Sequence, residues 1–265
     1  MDSLTLAWIG CGAVAALCWL LSVLTREYSF VDRIWSIVPP IYVAFFAYRS
    51  GWDARLVIMT GLATLWGARL TFNFARKGGY APGGEDYRWP VLRARMSPAL
   101  FQLFNVVFIA GIQNVILLLI VLPAWAASQR PGTPLGPLDA IATVLFLVLL
   151  AGETIADQQQ WRFQQAKKAA RARGDVVESQ FVTTGLFRFS RHPNFFCEQA
   201  MWWVFYLFAV ASGAGWLHWT LLGAVVLSAL FHGSTNFTEE LTLQKYPSYA
   251  EYQRRTSRLL PLPPR

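Results

Sequence analysis

A succession of long apolar segments constrains this chain more than any other feature. The segments recur from one end of the sequence to the other, and several reach the roughly 20 residues that a helix needs to cross a bilayer. Charged residues make up only 14% of the chain, against about 25% in a typical soluble domain. A helix satisfies its backbone polar groups internally when it lies in lipid. The sequence therefore predicts an all-α integral membrane protein.

About seven transmembrane helices are predicted, separated by polar connections. The spans are residues 4–24, 35–48, 56–74, 100–127, 138–156, a helix from about 193 to a glycine turn at 212–215, and 217–230. The second span is short and contains Pro39-Pro40, which predicts that it is broken or tilted, or that it starts as early as Phe30. The fifth is expected to continue as a polar helix that ends at Gly174, and its basic end, 167–173, is expected to be solvated.

The distribution of lysine and arginine predicts the orientation. Basic residues concentrate in alternate connections, at 75–98, at 159–195 and in the tail from 232 to 265, whereas the N-terminal segment and the glycine turn at 212–215 have none and the loop near residue 130 has only Arg130. This pattern places the N-terminus outside and the C-terminus in the cytoplasm, with the bacterial inner membrane as the expected location. The first span lacks a basic region before it, so a cleaved signal peptide is not expected.

The net charge of +8 invites a nucleic-acid interpretation, but the basic residues lie between apolar segments. That arrangement suits membrane lipids and phosphorylated small ligands, and we expect no nucleic-acid partner. The three histidines and three cysteines show no metal-ligand or disulfide spacing, so no metal is expected. The sequence does not determine the oligomeric state.

The most polar of the membrane-like stretches is GLFRFSRHPNFFCEQAMWW, residues 185–203. Proline suits the first turn of a helix, so a helix is predicted to begin at His192 or Pro193. Asn194 and Glu198 then share one face, with a carboxylate about one turn inside the membrane boundary. An ionisable group at that depth indicates a functional site. The alternative is that the basic residues are ordinary anchors and that Glu198 pairs with one of them for structure.

Five polar clusters fall on the predicted cytoplasmic side, and we expect them to converge in one pocket. The clusters are residues 26–33, 69–89, 153–162, 188–198 and the tail. A pocket rich in arginine, tryptophan and tyrosine suits a phosphorylated aromatic cofactor. Acidic residues such as Glu153 and Asp157 suit ribose hydroxyls or an amide.

The same stretch resembles the C-terminal signature of the steroid 5-alpha-reductase family, in particular its bacterial branch. In that family a Gly-Leu-Phe, a later Asn-Phe and a Glu followed by a Trp occupy these places. The resemblance implies a seven-helix enzyme that binds NADPH on its cytoplasmic side and delivers hydride to an activated C=C bond. It implies cofactor-pocket positions at Arg69, Asp157, Asn194, Glu198 and Trp202. Charge and position add Glu153 and Arg191, and the polar clusters add Asn73, Arg162, Arg188, His192 and Tyr249.

The proton donor departs from the family pattern, because Trp66 stands where the family has a tyrosine. Asp32, Tyr87 and Asp86 are the candidate catalytic residues in its place. We expect one domain, 1–265, with substrate-side helices and loop in 1–98 and a cofactor-binding part in 99–265. The apolar walls imply a lipophilic substrate such as a steroid, an isoprenoid or a fatty acyl chain.

Two other functions remain open on the sequence. Arg191-His192-Pro193 followed by Glu198 also resembles small membrane methyltransferases that bind S-adenosylmethionine, in which the pair Glu239-Glu240 would contribute. A non-enzymatic lipid-binding protein is the third possibility. Asn105, Gln113 and Asn114 in the fourth span are expected to hydrogen-bond between helices.

Overall fold

The computed structural model describes residues 1–177 and 179–265, and these residues contain no β-strand. Twelve α-helices are found in this described part of the chain. They are α1 Ser3–Thr25, α2 Phe30–Ile34, α3 Val38–Arg49, α4 Ala54–Arg76, α5 Arg88–Arg95, α6 Pro98–Phe104, α7 Gln113–Leu119, α8 Leu122–Ser128, α9 Pro137–Arg173, α10 Pro193–Ala211, α11 Leu222–Lys245 and α12 Tyr249–Arg255. A π-helix, Asn105–Ile112, joins α6 to α7, and short 3₁₀ turns occupy Gly185–Arg188 and Trp219–Leu221.

Four helical stretches among the described residues are long and apolar enough to cross a membrane. They are Ser3–Thr25, Pro98–Ser128, Pro137–Arg173 and Trp219–Lys245. The all-helical class predicted from the sequence is confirmed. The full number of spans and the orientation stay predictions.

Several predicted helix boundaries are confirmed. Helix α9 continues past its apolar part to Arg173, and Gly174 follows with a φ of +79°, a conformation that favours glycine. Helix α10 begins at Pro193. The last apolar segment is longer than predicted, because its helix runs on to Lys245. It ends just before Tyr246-Pro247, where a residue that precedes proline is disfavoured in a helix.

The chain forms two compact units. The first comprises Met1–Thr143 and Phe205–Ala224, and the second comprises Val144–Val204 and Val225–Arg265. The single domain divided near residue 98 stays a prediction.

In the first unit, α1 packs against the π-helix and α7, and α3 packs against α4 and α8. The buried residues of α1 are all small, which allows close approach. Arg55 and Asp139 form an ion pair with Nε to Oδ1 at 2.7 Å, and both side chains are almost fully buried. The carbonyl of Pro134 accepts a further bond from the guanidinium at 3.0 Å. Two buried charges are tolerable here because each has a partner.

In the second unit, the later part of α9 packs closely against α10. A Cβ added to Gly152 would lie 3.0 Å from the Cys197 sulfur. Phe195 of α10 stacks on Phe231 of α11 with ring centroids 4.9 Å apart. Phe181 packs against the tyrosines of α12, which attaches the tail to this unit.

Gly223 is required where the start of α11 crosses the end of α7. A Cβ at this position would lie 2.2 Å from the Leu119 carbonyl oxygen, which is backbone and cannot rotate away. We expect Gly223→Ala to destabilise the protein by about 1–3 kcal/mol, as overpacking does. Thermal unfolding in detergent measures the effect.

Gly233→Ala, in the same helix, is the control. A Cβ there meets nothing within 4 Å, so alanine is expected to be neutral or to stabilise by about 0.5–1 kcal/mol. Equal unfolding temperatures for the two variants would contradict the packing described.

Candidate functional site

A line of polar residues runs between α9 and α10 in the second unit. The Asn194 side-chain amide donates to the Asp157 carboxylate over 3.4 Å, and Gly152 contacts Cys197. Residue numbers rise along α9 as they fall along α10, so the two helices are antiparallel at this contact. Asp157 is 5% exposed, which places its carboxylate among protein groups.

A second pair of polar residues lies one turn further along the same two helices. Glu153 precedes Asp157 by four residues, so the two share one face of α9. Glu198 follows Asn194 by four residues, so these two share one face of α10. Glu153 is 2% exposed and Glu198 is 6% exposed. Trp202, one turn beyond Glu198, is also buried. The two helices therefore carry three buried carboxylates and one amide along the faces around their contact, with a buried indole one turn beyond Glu198.

Exposed arginines lie on the other side of the Asp157–Asn194 contact. The Gln159 side chain accepts the backbone N–H of Leu186 at 2.9 Å, which holds the 3₁₀ turn Gly185–Arg188 against α9. Arg188 ends that turn, and Arg162 lies about one helical turn beyond Gln159. Both arginines are exposed. Along α9, α10 and the 3₁₀ turn, the predicted residues therefore change in order from buried carboxylates to exposed arginines.

Glu239 of α11 is the centre of a separate network in the second unit. Its carboxylate accepts from Arg191 at 2.6 and 2.9 Å, from Gln253 at 2.8 Å and from Tyr249 at 3.3 Å. His192 Nε2 lies 3.0 Å from the same group. Glu239 is 6% exposed, and a buried carboxylate is stable when its lone pairs are matched in this way.

The network holds the tail against the central stretch, residues 185–203. The backbone N–H of Arg191 donates to the Ser257 carbonyl at 2.8 Å, and that of His192 donates to Arg258 at 3.1 Å. The Arg191 guanidinium also donates to the carbonyls of Gln253 and Thr256. Arg191, His192 and Tyr249 are therefore brought together by Glu239. Their role in cofactor binding stays a prediction.

Tyr249 is a buried phenol in this network. Burial raises its pKa above the ordinary value, the Glu239 charge adds to the effect, and Arg191 opposes it. The phenol is therefore held protonated and serves as a hydrogen-bond donor to Glu239.

The first unit contains the other predicted residues. The glycine-rich loop between α4 and α5, residues 77–87, folds onto residues 26–29, which join α1 to α2, since Glu85 accepts the Tyr28 N–H at 2.8 Å and Glu27 accepts the Gly83 N–H at 3.0 Å. In α4, Arg69 is half-buried, and Asn73 is buried and accepts from Arg76 at 2.9 Å.

Two of the candidate proton donors lie close together, Asp32 on α2 and Asp86 in the loop that folds onto it. Asp32 accepts the indole N–H of Trp89 at 2.8 Å, and Asp86 pairs with Arg88 at 2.8 Å. Burial raises the pKa of Asp32 and the neighbouring Asp86 charge raises it further, while Arg88 and hydrogen bonds from Trp89 and Ser29 oppose the shift. Tyr87, the third candidate, is exposed.

Sequence reasoning missed Glu239 as the organising residue and weighed it only for methyl transfer. It also missed Gln253 and Gln159. The available signal for Glu239 was a carboxylate late in an apolar helix, which calls for a buried partner. No group of three or more His, Cys, Asp or Glu side chains is placed to hold a metal ion within residues 1–177 and 179–265.

Comparison with known proteins identifies the family. Residues 18–256 match the family described as "Protein of unknown function (DUF1295)", and the chain belongs to this family. It is similar to "Uncharacterized protein C594.04c" of the fission yeast Schizosaccharomyces pombe, with 39% identity over 258 residues that cover 92% of this chain and 75% of the relative. No solved structure matches the chain.

The Glu239 network predicts an unequal effect of two adjacent substitutions. Glu239→Gln removes the charge that compensates the buried Arg191, so we expect a loss of about 3–5 kcal/mol in unfolding free energy. Glu240→Gln changes an exposed side chain bonded to Gln244 and is expected to cost less than about 0.5 kcal/mol. Thermal unfolding of both variants tests this, and similar losses in the two would contradict the assignment.

The raised pKa of Asp32 predicts a pH dependence. The folded protein holds this proton more tightly than the unfolded chain, so ionisation costs stability as the pH rises from the ordinary value of 3.8 through the raised one. Asp32→Asn is neutral throughout and keeps an acceptor for Trp89. The stability of the wild type relative to this variant should therefore fall as the pH rises from about 4 towards alkaline pH.

Unfolding temperatures measured across this range test the prediction. Asp175→Asn, at an exposed ion pair, is the control. A stability difference between wild type and Asp32→Asn that stays constant, or that shifts in favour of the wild type as the pH rises, would show that folding does not raise the pKa of Asp32.

Proposed function

We propose that this protein is an integral membrane reductase that uses NADPH to saturate an activated C=C bond in a lipophilic substrate. The observation that supports this best is the arrangement on α9 and α10. Buried carboxylates and an amide lie along one line. The exposed Arg162 and Arg188 lie beyond the end of this line that is formed by Asp157 and Asn194.

The order of these groups matches the chemistry of NADPH. Carboxylate and amide side chains accept from ribose hydroxyls and from the carboxamide of the nicotinamide ring. Arginine pairs with phosphate through charge-assisted, often bidentate, hydrogen bonds. The resemblance of residues 185–203 to the steroid 5-alpha-reductase signature supports the same assignment.

The alternative cofactor, S-adenosylmethionine, has no phosphate for the two exposed arginines. In addition, the Glu239 carboxylate that the methyltransferase interpretation would use is bonded to Arg191, His192, Tyr249 and Gln253. Both observations favour the reductase.

The proposed reaction is balanced by one hydride and one proton. When bound, NADPH would supply the hydride to one carbon of the double bond, and a protein acid or water would supply the proton to the other carbon, giving NADP⁺ and the saturated product. Of the three candidate donors, Asp32 has surroundings that raise its pKa. A raised pKa is what a carboxyl needs to hold a proton near neutral pH.

The proposal includes a membrane topology. About seven spans, with the N-terminus outside and the cofactor site open to the cytoplasm, place the basic connections on the cytoplasmic side as the positive-inside rule requires. The bacterial inner membrane is the proposed location.

Nucleotide binding by matched variants tests this function. We expect Glu198→Gln to weaken NADPH and NADH about equally, because the carboxylate contacts groups that the two nucleotides share. Arg162→Ala or Arg188→Ala should weaken NADPH more than about tenfold relative to NADH, because only NADPH carries the 2′-phosphate. Calorimetric titration of the purified protein measures both effects.

Lys168→Ala, which removes an exposed charge from the same helix, is the control and should leave the ratio unchanged. An unchanged NADPH affinity in Glu198→Gln, or an unchanged ratio in both arginine variants, would remove these residues from the cofactor site.

A further inference from the structure

Three buried amide oxygens in the first unit have no hydrogen-bond partner within the described part of the chain. They are Asn105 Oδ1, Gln113 Oε1 and Asn114 Oδ1. Their residues are 0%, 5% and 1% exposed. A buried acceptor without a donor is costly, so most buried polar groups in proteins are paired. Three such oxygens in one short stretch indicate a site that takes a donor from outside the chain.

Two of these side chains donate their amide N–H groups within the protein, and Asn105 does so between helices, as the sequence predicted. Asn105 donates to the Ser22 hydroxyl at 2.9 Å, between helices, and Asn114 donates to the Ala110 carbonyl at 2.8 Å. These contacts account for the amide N–H groups of Asn105 and Asn114, and they leave the amide oxygens without a donor among the described residues.

The π-helix Asn105–Ile112 brings the two asparagines to the same side. Nine residues make about two and a half turns of an α-helix, which would place Asn105 and Asn114 on opposite faces. The wider π-helical turn, about 4.4 residues with i→i+5 hydrogen bonds, brings the separation close to two turns. The contacts agree, since Asn105 bonds Ser22 and Asn114 lies beside the Cys18 thiol, on one face of α1. Single π-helical turns are frequent at functional sites.

The surroundings specify a neutral donor on an apolar body. Residues 3–25, 38–49 and 98–119, which form α1, α3 and the helices around the amides, contain no Asp or Glu. The nearby carboxylate of Asp32 on α2, whose charge reaches the Cys18 thiol, already accepts the indole N–H of Trp89 at 2.8 Å, so a cationic amine would lack a counter-charge of its own. Ile109, Ile116 and Leu117 beside the amides are buried and apolar. A hydroxyl satisfies amide oxygens without a charge.

We propose that this amide cluster binds the hydroxyl group of a lipophilic alcohol. The site lies within the first unit, on α1, the π-helix and α7, and it shares no residue with the candidate cofactor site. The assignment does not depend on which cofactor the second unit binds. A buried water would also donate to these oxygens, and the experiment separates the two cases.

The test compares alcohols with their methyl ethers, which keep the body and lose the donor. Tritiated cholesterol and tritiated farnesol are bound to the purified protein, and each is competed with its unlabelled alcohol and its methyl ether. We expect at least one alcohol to bind more than about tenfold tighter than its ether, because a site built to bond a hydroxyl rejects an analogue that lacks it.

Asn114→Leu and Gln113→Met should each reduce that ratio without lowering the unfolding temperature, because an unpaired acceptor is replaced by an apolar group of similar size. Thr60→Val, in which the hydroxyl bonds only within its own helix α4, is the control and should keep the ratio. The proposal would be overturned if alcohol and ether bind equally, if neither cholesterol nor farnesol binds, or if the alcohol-to-ether ratio is unchanged in both amide variants. If Asn114→Leu and Gln113→Met lower the unfolding temperature and the wild type binds each alcohol and its ether equally, the amide oxygens bind a buried water instead.

Discussion

Burying a polar group among apolar helices is costly unless a partner lies within hydrogen-bonding distance, and this constraint determines much of the structure. The first unit meets it with the Arg55–Asp139 ion pair. The second unit meets it with Glu239, whose carboxylate accepts from the central stretch and from the tail. In both units a charge that would be unstable alone connects segments that are distant in sequence.

The Glu239 network has a consequence for the neighbouring candidate site. It holds Arg191 and His192 against the tail, and these residues directly precede α10. The helix therefore starts at a fixed point, with Asn194 against Asp157 and Glu198 one turn further. We interpret the network as the support that positions the polar line on α9 and α10.

Local sequence patterns predicted the helices well. Apolar length, Pro193 and Gly174 are local signals, and the start of α10 and the polar extension of α9 follow from them. Long-range partners could not be predicted in this way, because Arg191 and Glu239 are 48 residues apart. Lys167 shows the same limit. It belongs to a basic run expected to be solvated, yet it is 8% exposed and donates to the Gln180 carbonyl at 2.5 Å.

The π-helix shows a second limit of periodicity. An α-helical count separates Asn105 from Asn114, whereas the structure directs both towards α1. The sequence identified these residues as interhelical hydrogen-bonding groups, which is confirmed for Asn105, but no local signal indicated that their oxygens would lack donors.

The central claim is that the polar line on α9 and α10 binds a phosphorylated dinucleotide. The most direct test is to titrate the purified wild-type protein with NADPH and, separately, with S-adenosylmethionine, and to follow heat and unfolding temperature. The account predicts saturable binding and a raised unfolding temperature with NADPH and neither with S-adenosylmethionine. Binding of S-adenosylmethionine without binding of NADPH would contradict it.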